Sequence, residues 1–246
     1  MAREKPVAFI VGAGDYIGAA VAKRFAYGGF KVCVGRRNFD KLTPLVNEIK
    51  ENGGDAIPFE FDARKEDVTE KVFKEIEQNI GPLDLVIFNP GGNVYFPISE
   101  TTSRVFRKVW EISCFAGFLT GREAAKYMVP RKKGSIFFTG ATASVRGSSG
   151  YSAFASGKFG LRALSQSMAR ELGPLNIHVA HLIVDAAVNT AFVRQLFINK
   201  GTDPDTLPED TLMKPSSIAE TYWNLFHQTK DGWTHEIDLR PFGEKW

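Results

Sequence analysis

Short apolar runs alternate with helically spaced stretches along the chain, and this alternation limits the fold more than any other feature of the sequence. Residues 6–11 form a continuous apolar run ending in Gly12-Ala13-Gly14, and residues 17–25 then carry apolar side chains at helical spacing toward Gly28-Gly29. The same unit recurs: runs at 30–34, 56–61, 83–88, 135–138 and 177–184 predict five more strands, and 233–239 a last one. Between them lie helical patterns through Phe39, Leu42, Leu45, Val46 and Ile49, and through Val68, Val72, Phe73 and Ile76. Val105, Val109, Ile112, Cys114 and Leu119 run helically toward Pro130, as one helix or as a short and a long one. Strands that are apolar on both faces and joined by helices imply a parallel sheet covered on both sides by right-handed crossovers. The prediction is a doubly wound parallel α/β sheet forming one domain over 1–246. Residues 189–214 break the rhythm with a short apolar helix and a Pro/Asp/Thr-rich tract, the pattern of a substrate loop or lid.

Composition narrows the class. With 246 residues, 43% of them hydrophobic, the chain can bury a substantial core. The net charge of +3 comes from interspersed acids and bases with no basic stripe, which argues against nucleic acid as a partner. No apolar run reaches the length of a membrane span, and the N-terminus lacks a signal pattern. Cys33 and Cys114 are isolated, which fits buried thiols in a reduced, cytoplasmic setting. His178 and His181 have no cysteine or carboxylate at metal-ligand spacing and read as structural, so no metal is expected.

In such a sheet the ligand lies beyond the carboxyl ends of the strands at the topological switch. That rule gathers the Gly12 loop, Gly35-Arg36, Asn89, Gly140 and Asp185 around one crevice. Gly12-Ala13-Gly14-Asp15-Tyr16-Ile17-Gly18 follows a strand and opens a helix, where backbone N–H groups hold a pyrophosphate. After the second strand an NAD site would carry a carboxylate for the ribose; here stand Gly35, Arg36 and Arg37. A guanidinium suits a 2′-phosphate, which favours NADP(H) and leaves NAD the second choice. Asp15 is out of place in a phosphate loop unless it turns outward or meets a base. The helix over 150–174 has a first half of small residues, with Phe154 and Lys158 one turn apart on one face. A lysine there either covers apolar surface with its stem or has work to do in the crevice.

These residues together resemble the short-chain dehydrogenase/reductase family over nearly the whole chain. The glycine loop is similar to the family's Thr-Gly-x-x-x-Gly-x-Gly, with Gly12 and Gly18 matching, Val11 for the threonine and Tyr16 for the middle glycine. Asp62 resembles the adenine-contacting aspartate, Phe88-Asn89-Pro90-Gly91 the Asn-Asn-Ala-Gly segment, Lys158 the lysine of Tyr-x-x-x-Lys, and Thr190 the threonine that meets the nicotinamide carboxamide. The resemblance implies a Rossmann-type fold and cofactor contacts at Gly12, Gly14, Ile17, Gly18, Arg36, Asp62, Asn89, Gly91, Lys158 and Thr190. It implies pairing through the long helices near 106–128 and 150–172 into a homodimer or homotetramer.

The catalytic positions depart from that pattern. The family's tyrosine, serine and asparagine align with Phe154, Ala141 and Ser113, and of its catalytic set only the lysine remains. Phenylalanine has no proton to exchange and alanine no hydroxyl. Tyr151, seven positions before Lys158, would lie about 10.5 Å along the axis if the helix extended that far. An N-cap at Ser149 would draw it into the helix, whereas one at Ser152 would leave it in the loop, free to turn inward. It is read here as the substitute catalytic residue beside Lys158, against a packed rim tyrosine. Thr142, Ser144 and Asp185 are further groups near the expected nicotinamide. Two functions stay open: an NADP(H)-dependent oxidoreductase acting on a small carbonyl or alcohol with a non-standard proton donor, or an inactive relative serving as a nucleotide sensor or interaction subunit.

Overall fold

A computed structural model describes residues 5–243. Seven strands form one sheet: β1 (Val7–Val11), β2 (Lys31–Arg36), β3 (Asp55–Glu60), β4 (Leu83–Phe88), β5 (Gly134–Thr139), β6 (Ile177–Val184) and β7 (Glu236–Leu239). Their order is β3-β2-β1-β4-β5-β6-β7, with every neighbouring pair parallel. The chain winds outward from β1 to β3 and returns to the other side of β1 at β4, so the switch lies where Val11 is in register with Phe88.

Helices α1 (Ile17–Tyr27), α2 (Thr43–Glu51), α3 (Glu66–Asn79), α4 (Ser103–Trp110), α5 (Ala116–Arg131), α6 (Ser152–Leu172), α7 (Ala191–Asn199) and α8 (Pro215–Phe226) complete the chain. Because alternate strand residues face opposite ways, the sheet feeds two cores. Ala8, Ile10, Val32 and Val34 pack under α1, α2 and α8 with Phe25, Ile49 and Tyr222. Phe9, Val11, Val86 and Phe88 pack under α3, α5 and α6 with Phe73, Met128 and Leu161. Phe9 meets the edges of Phe61 and Phe73 at 5.2 and 5.4 Å between centroids.

Two details differ from the pattern expected. The stretch toward Pro130 is a short helix and a long one, the second of the two patterns expected, but they are not separated by a break: α4 passes into α5 through a wider π-type turn over Glu111–Phe115. The last strand starts at Glu236 and not at Trp233, because the Trp233 ring stacks on His178 at 4.7 Å and the Thr234 N–H donates to Gln228 Oε1. Within 189–214, α7 is followed by irregular chain tied back by a bridge between Val188 and Met213.

Candidate active site

The glycine loop is shaped by close packing. Gly12 adopts φ 78°, and its N–H and that of Ala13 donate to Gly35 O at 2.9 and 3.0 Å. A Cβ on Gly12 would stand 3.0 Å from the Pro90 ring, and one on Gly18 would stand 2.4 Å from Gly12 O, so both positions demand glycine. Gly14 is different: the nearest atom to a Cβ there is 4.0 Å away, which leaves room for a ligand against the backbone. The first turn of α1 has neither an acidic residue nor a side-chain cap; Ala19 N donates to Gly14 O at 2.8 Å, which leaves the Ile17 and Gly18 amides for an anion.

The side chains of this loop find protein partners. Asp15 accepts from Arg36 Nη1 at 2.6 Å, and this hydrogen bond, outweighing the opposing effect of burial, holds its carboxyl below the usual range. The contact resolves the awkward charge, but it also occupies the guanidinium that the sequence reserved for a 2′-phosphate. Arg37, with no carboxylate at ion-pair distance among the described residues, lines the same hollow of about 280 Å³ as Arg36, Gly35 and Ala63. Asp62 lies outside that hollow, its carboxylate taken by Arg64 Nε at 2.9 Å and Nη2 at 2.6 Å, which lowers its pKa. Tyr16 reaches across from the loop, and its hydroxyl accepts from Ala191 N at 2.9 Å in the first turn of α7. Thr190 caps that turn, its Oγ1 accepting from Val193 N at 3.1 Å.

A second cleft of about 580 Å³ continues from the hollow, the two sharing Gly14, Asn89 and Gly91. Asn89 braces the junction, its Nδ2 donating to Gly12 O at 3.0 Å. Lys158 lies beneath it, 3% exposed, with Nζ donating to Thr139 O at 2.7 Å and Pro90 O at 3.2 Å. Burial disfavours the ammonium and lowers its pKa to about 8. A Cβ on Gly91 would come 3.5 Å from that Nζ, so the crevice wall is thin there. Phe154 and Ala141 line the cleft beside the lysine, with the Phe154 ring centroid 6.0 Å from Nζ. Ser113 sits in the π turn behind Gly157, fully buried, and its hydroxyl makes no hydrogen bond to the described residues.

Tyr151 lines the cleft and is itself the N-cap of α6, without a side-chain cap bond; neither serine takes that position, and the helix begins at Ser152. Its ring meets the edge of Tyr95 at 5.4 Å. Gly150 at φ 78° makes this possible, since a Cβ there would lie 2.2 Å from the Tyr95 ring. His181 is fully buried between Glu236 Oε2, 3.2 Å from Nδ1, and Ser144 Oγ, 3.5 Å from Nε2. Burial keeps it neutral, lowering its pKa to about 4.

One pair was visible in the sequence only as two separate residues. Thr142 Oγ1 donates to Asp185 Oδ1, and Asp185 Oδ2 meets Arg240 Nη1 at 2.8 Å. The register that would have joined them is that of β5 and β6: Thr139 pairs with Leu182, and each partner of the contact lies three residues further on.

The short-chain dehydrogenase family model matches residues 6–200. The chain belongs to the short-chain dehydrogenase family. A 2-dehydro-3-deoxy-D-gluconate 5-dehydrogenase of Formosa agariphila is 30% identical over 174 residues, covering 70% of this short-chain dehydrogenase and just under two thirds, 66%, of the relative. A short-chain dehydrogenase from Rhodopseudomonas palustris superposes with TM-score 0.82 at 50% identity over 98% of this chain and 100% of its own. An alcohol dehydrogenase from Thermococcus sibiricus, solved with 5-hydroxy-NADP, superposes with TM-score 0.85 at 25% identity over 98% and 99%.

Proposed function

We propose that this short-chain dehydrogenase binds NADP(H) along the joined hollow and cleft and interconverts a small carbonyl and its alcohol without a tyrosine at position 154. The observation that carries the reading is Lys158. Burying an ammonium 3% exposed, against desolvation strong enough to bring its pKa to about 8, is hard to explain by packing alone. Its place at the junction of two hollows that together suit a dinucleotide supplies a reason. Gly14, Ile17 and Gly18 with the first-turn amides of α1 would hold the pyrophosphate; Gly12 shapes the loop; Asn89 and Gly91 would support the ribose beside Lys158; Thr190 would face the carboxamide. Arg36 and Arg37 favour a 2′-phosphate over a bare ribose, and the relative solved with 5-hydroxy-NADP agrees with that preference. Asp62 would reach adenine only by yielding part of its contact with Arg64.

Bound there, the nicotinamide would supply or accept hydride. Phe154 and Ala141 can neither give up a proton nor orient an oxygen, so the proton passes through another group; of the two phenols on the cleft wall, Tyr16 is bonded to Ala191 N and Tyr151 is the candidate. Residues 189–214 would act as the lid, since Thr190 and Val193 line the cleft. No helix among the described residues is long and apolar enough to cross a membrane, and a reduced, cytoplasmic setting fits the two unpaired thiols. Trp110, Phe118 and Phe159, aromatic side chains exposed on α4, α5 and α6, support a homodimer or homotetramer.

Phe154 and Ala141 also favour a second reading, nucleotide binding without turnover. Fluorescence titration with NADPH and NADH, followed by single-turnover assays on a carbonyl and alcohol panel, separates the two. Tighter NADPH binding with hydride transfer supports the enzyme, binding alone supports the sensor, and no binding overturns both.

A further inference from the structure

We infer that Thr142 and Asp185 form the proton-accepting path of this site and set it to oxidise an alcohol, an inference that rests on the nucleotide-binding reading above. Thr142 follows Ala141 and lines the cleft. Its hydroxyl hydrogen is directed at Asp185 Oδ1, a carboxylate that can only accept. A hydroxyl has one hydrogen to donate and two lone pairs, so toward the cleft Thr142 offers acceptors only. Such a group receives a hydrogen bond from a substrate hydroxyl and has none to give a substrate carbonyl.

Asp185 completes the path. Val184 and Ala186 line the cleft and Asp185 between them does not, since alternate side chains leave a strand end in opposite directions. It is 2% exposed, its N–H donates to Leu239 O at 2.9 Å, and Arg240 balances its charge. The carboxylate is therefore reached from the cleft through the Thr142 hydroxyl. No other hydroxyl lining the cleft is hydrogen-bonded to a carboxylate among the described residues: Tyr16 bonds to Ala191 N, Thr139 to Tyr222 Oη, Thr190 to Val193 N, and neither Ser148 nor Tyr151 has a carboxylate partner. Lys158 has already directed donors at two carbonyl oxygens.

The step balances as a dehydrogenation. With an oxidised nicotinamide bound to take the hydride, the substrate carbon would lose hydride and its C–O bond would become C=O. The alcohol proton moves to Thr142 Oγ1 as the threonine's own hydrogen moves to Asp185 Oδ1, and Thr142 emerges unchanged. After product leaves, the proton returns to water through the same hydroxyl. Thr142 is the group that touches substrate; Asp185 acts through it.

The test uses Thr142→Val and Thr142→Ser in the full chain, with cyclohexanol and 1-phenylethanol as probes and NADP⁺ as oxidant. The expected result is a single-turnover oxidation rate lowered about 10²–10⁴-fold in Thr142→Val and largely restored in Thr142→Ser, with NADPH affinity the same in all three. Infrared spectra of the nucleotide-free proteins, labelled with ¹³C-aspartate, give a readout independent of turnover: a carboxylate band should shift in Thr142→Val and return in Thr142→Ser. An unmoved band, or oxidation that survives Thr142→Val and is lost in Tyr151→Phe, overturns the relay and leaves the proposed oxidoreductase standing. Nucleotide binding with no oxidation by the unaltered protein overturns both.

Discussion

At the scale of single residues, the buried lysine and the missing hydroxyls decide what the site can do. Lys158 has a pKa of about 8 in the folded chain against an ordinary 10.5. Between those values the unfolded chain holds the extra proton, so this group makes stability rise with pH across that window, by about 3 kcal/mol in total. Below about pH 8 the burial penalty is fully present and constant. Cys33 and Tyr222, whose pKa values burial raises, pull the other way in any variant that keeps them. The difference between the unaltered protein and Lys158→Met therefore isolates the lysine. Urea unfolding at about pH 7 and about pH 10 should show the stability advantage of Lys158→Met shrinking at the higher value, and a constant difference would refute the assignment. The hydroxyls carry a second prediction. Phe154→Tyr with Ala141→Ser puts a phenol one helical turn from Lys158 and a hydroxyl opposite it, and should raise carbonyl reduction by NADPH about 10²-fold or more. An unchanged rate in a folded double variant that binds NADPH would show that positions 141 and 154 are misassigned.

Between elements, a hydrogen bond from Ala191 N to Tyr16 Oη at 2.9 Å joins the glycine loop to α7. Such a bond contributes roughly 1 kcal/mol. Tyr16→Phe should therefore speed hydrogen exchange at Ala191 by about fivefold while leaving the amides of β1 unchanged. Equal exchange in both proteins would mean that the loop does not hold α7. This strap also marks the limit of what the sequence conveys. The inner strands β1, β2, β4, β5 and β6 were legible because they are buried on both faces, and Gly12 and Gly18 because only glycine tolerates a backbone carbonyl or a proline ring so near. Lys158 and Asn89 were legible from their order along the chain. What the residues do to one another was not. Asp15 and Arg36 were read separately, and no spacing rule foretells that the loop turns one onto the other. Thr142 and Asp185 are 43 positions apart and meet only because β5 and β6 are neighbours in register. Tyr151 meets Tyr95 because Gly150 leaves room for that ring, a contact between two loops that local pattern does not encode.

At the scale of the whole molecule, the described residues include an aromatic face on α4, α5 and α6 that the fold leaves exposed. Trp110, Phe115 and Phe118 stack in succession along α4, the π turn and α5, at 6.2 and 6.1 Å between centroids. Trp110, Phe118 and Phe159 of the adjoining α6 are 39%, 40% and 42% exposed. Apolar surface of this kind is uncommon on a chain that works alone, because covering it returns roughly 25 cal/mol per Å². A second copy is the simplest cover, since a twofold axis brings each aromatic stack against its equivalent without any new sequence. The same helices carry Lys158, Phe154 and the π turn holding Ser113, so pairing would brace the floor of the cleft from behind. Phe118→Glu with Phe159→Glu sets like charges on both sides of that axis. Sedimentation equilibrium should then give a monomer for the double variant and a dimer or tetramer for the unaltered chain, with matching far-ultraviolet circular dichroism. A monomer in both would mean that the aromatic face serves some other contact, and that the cleft is rigid without a partner behind it.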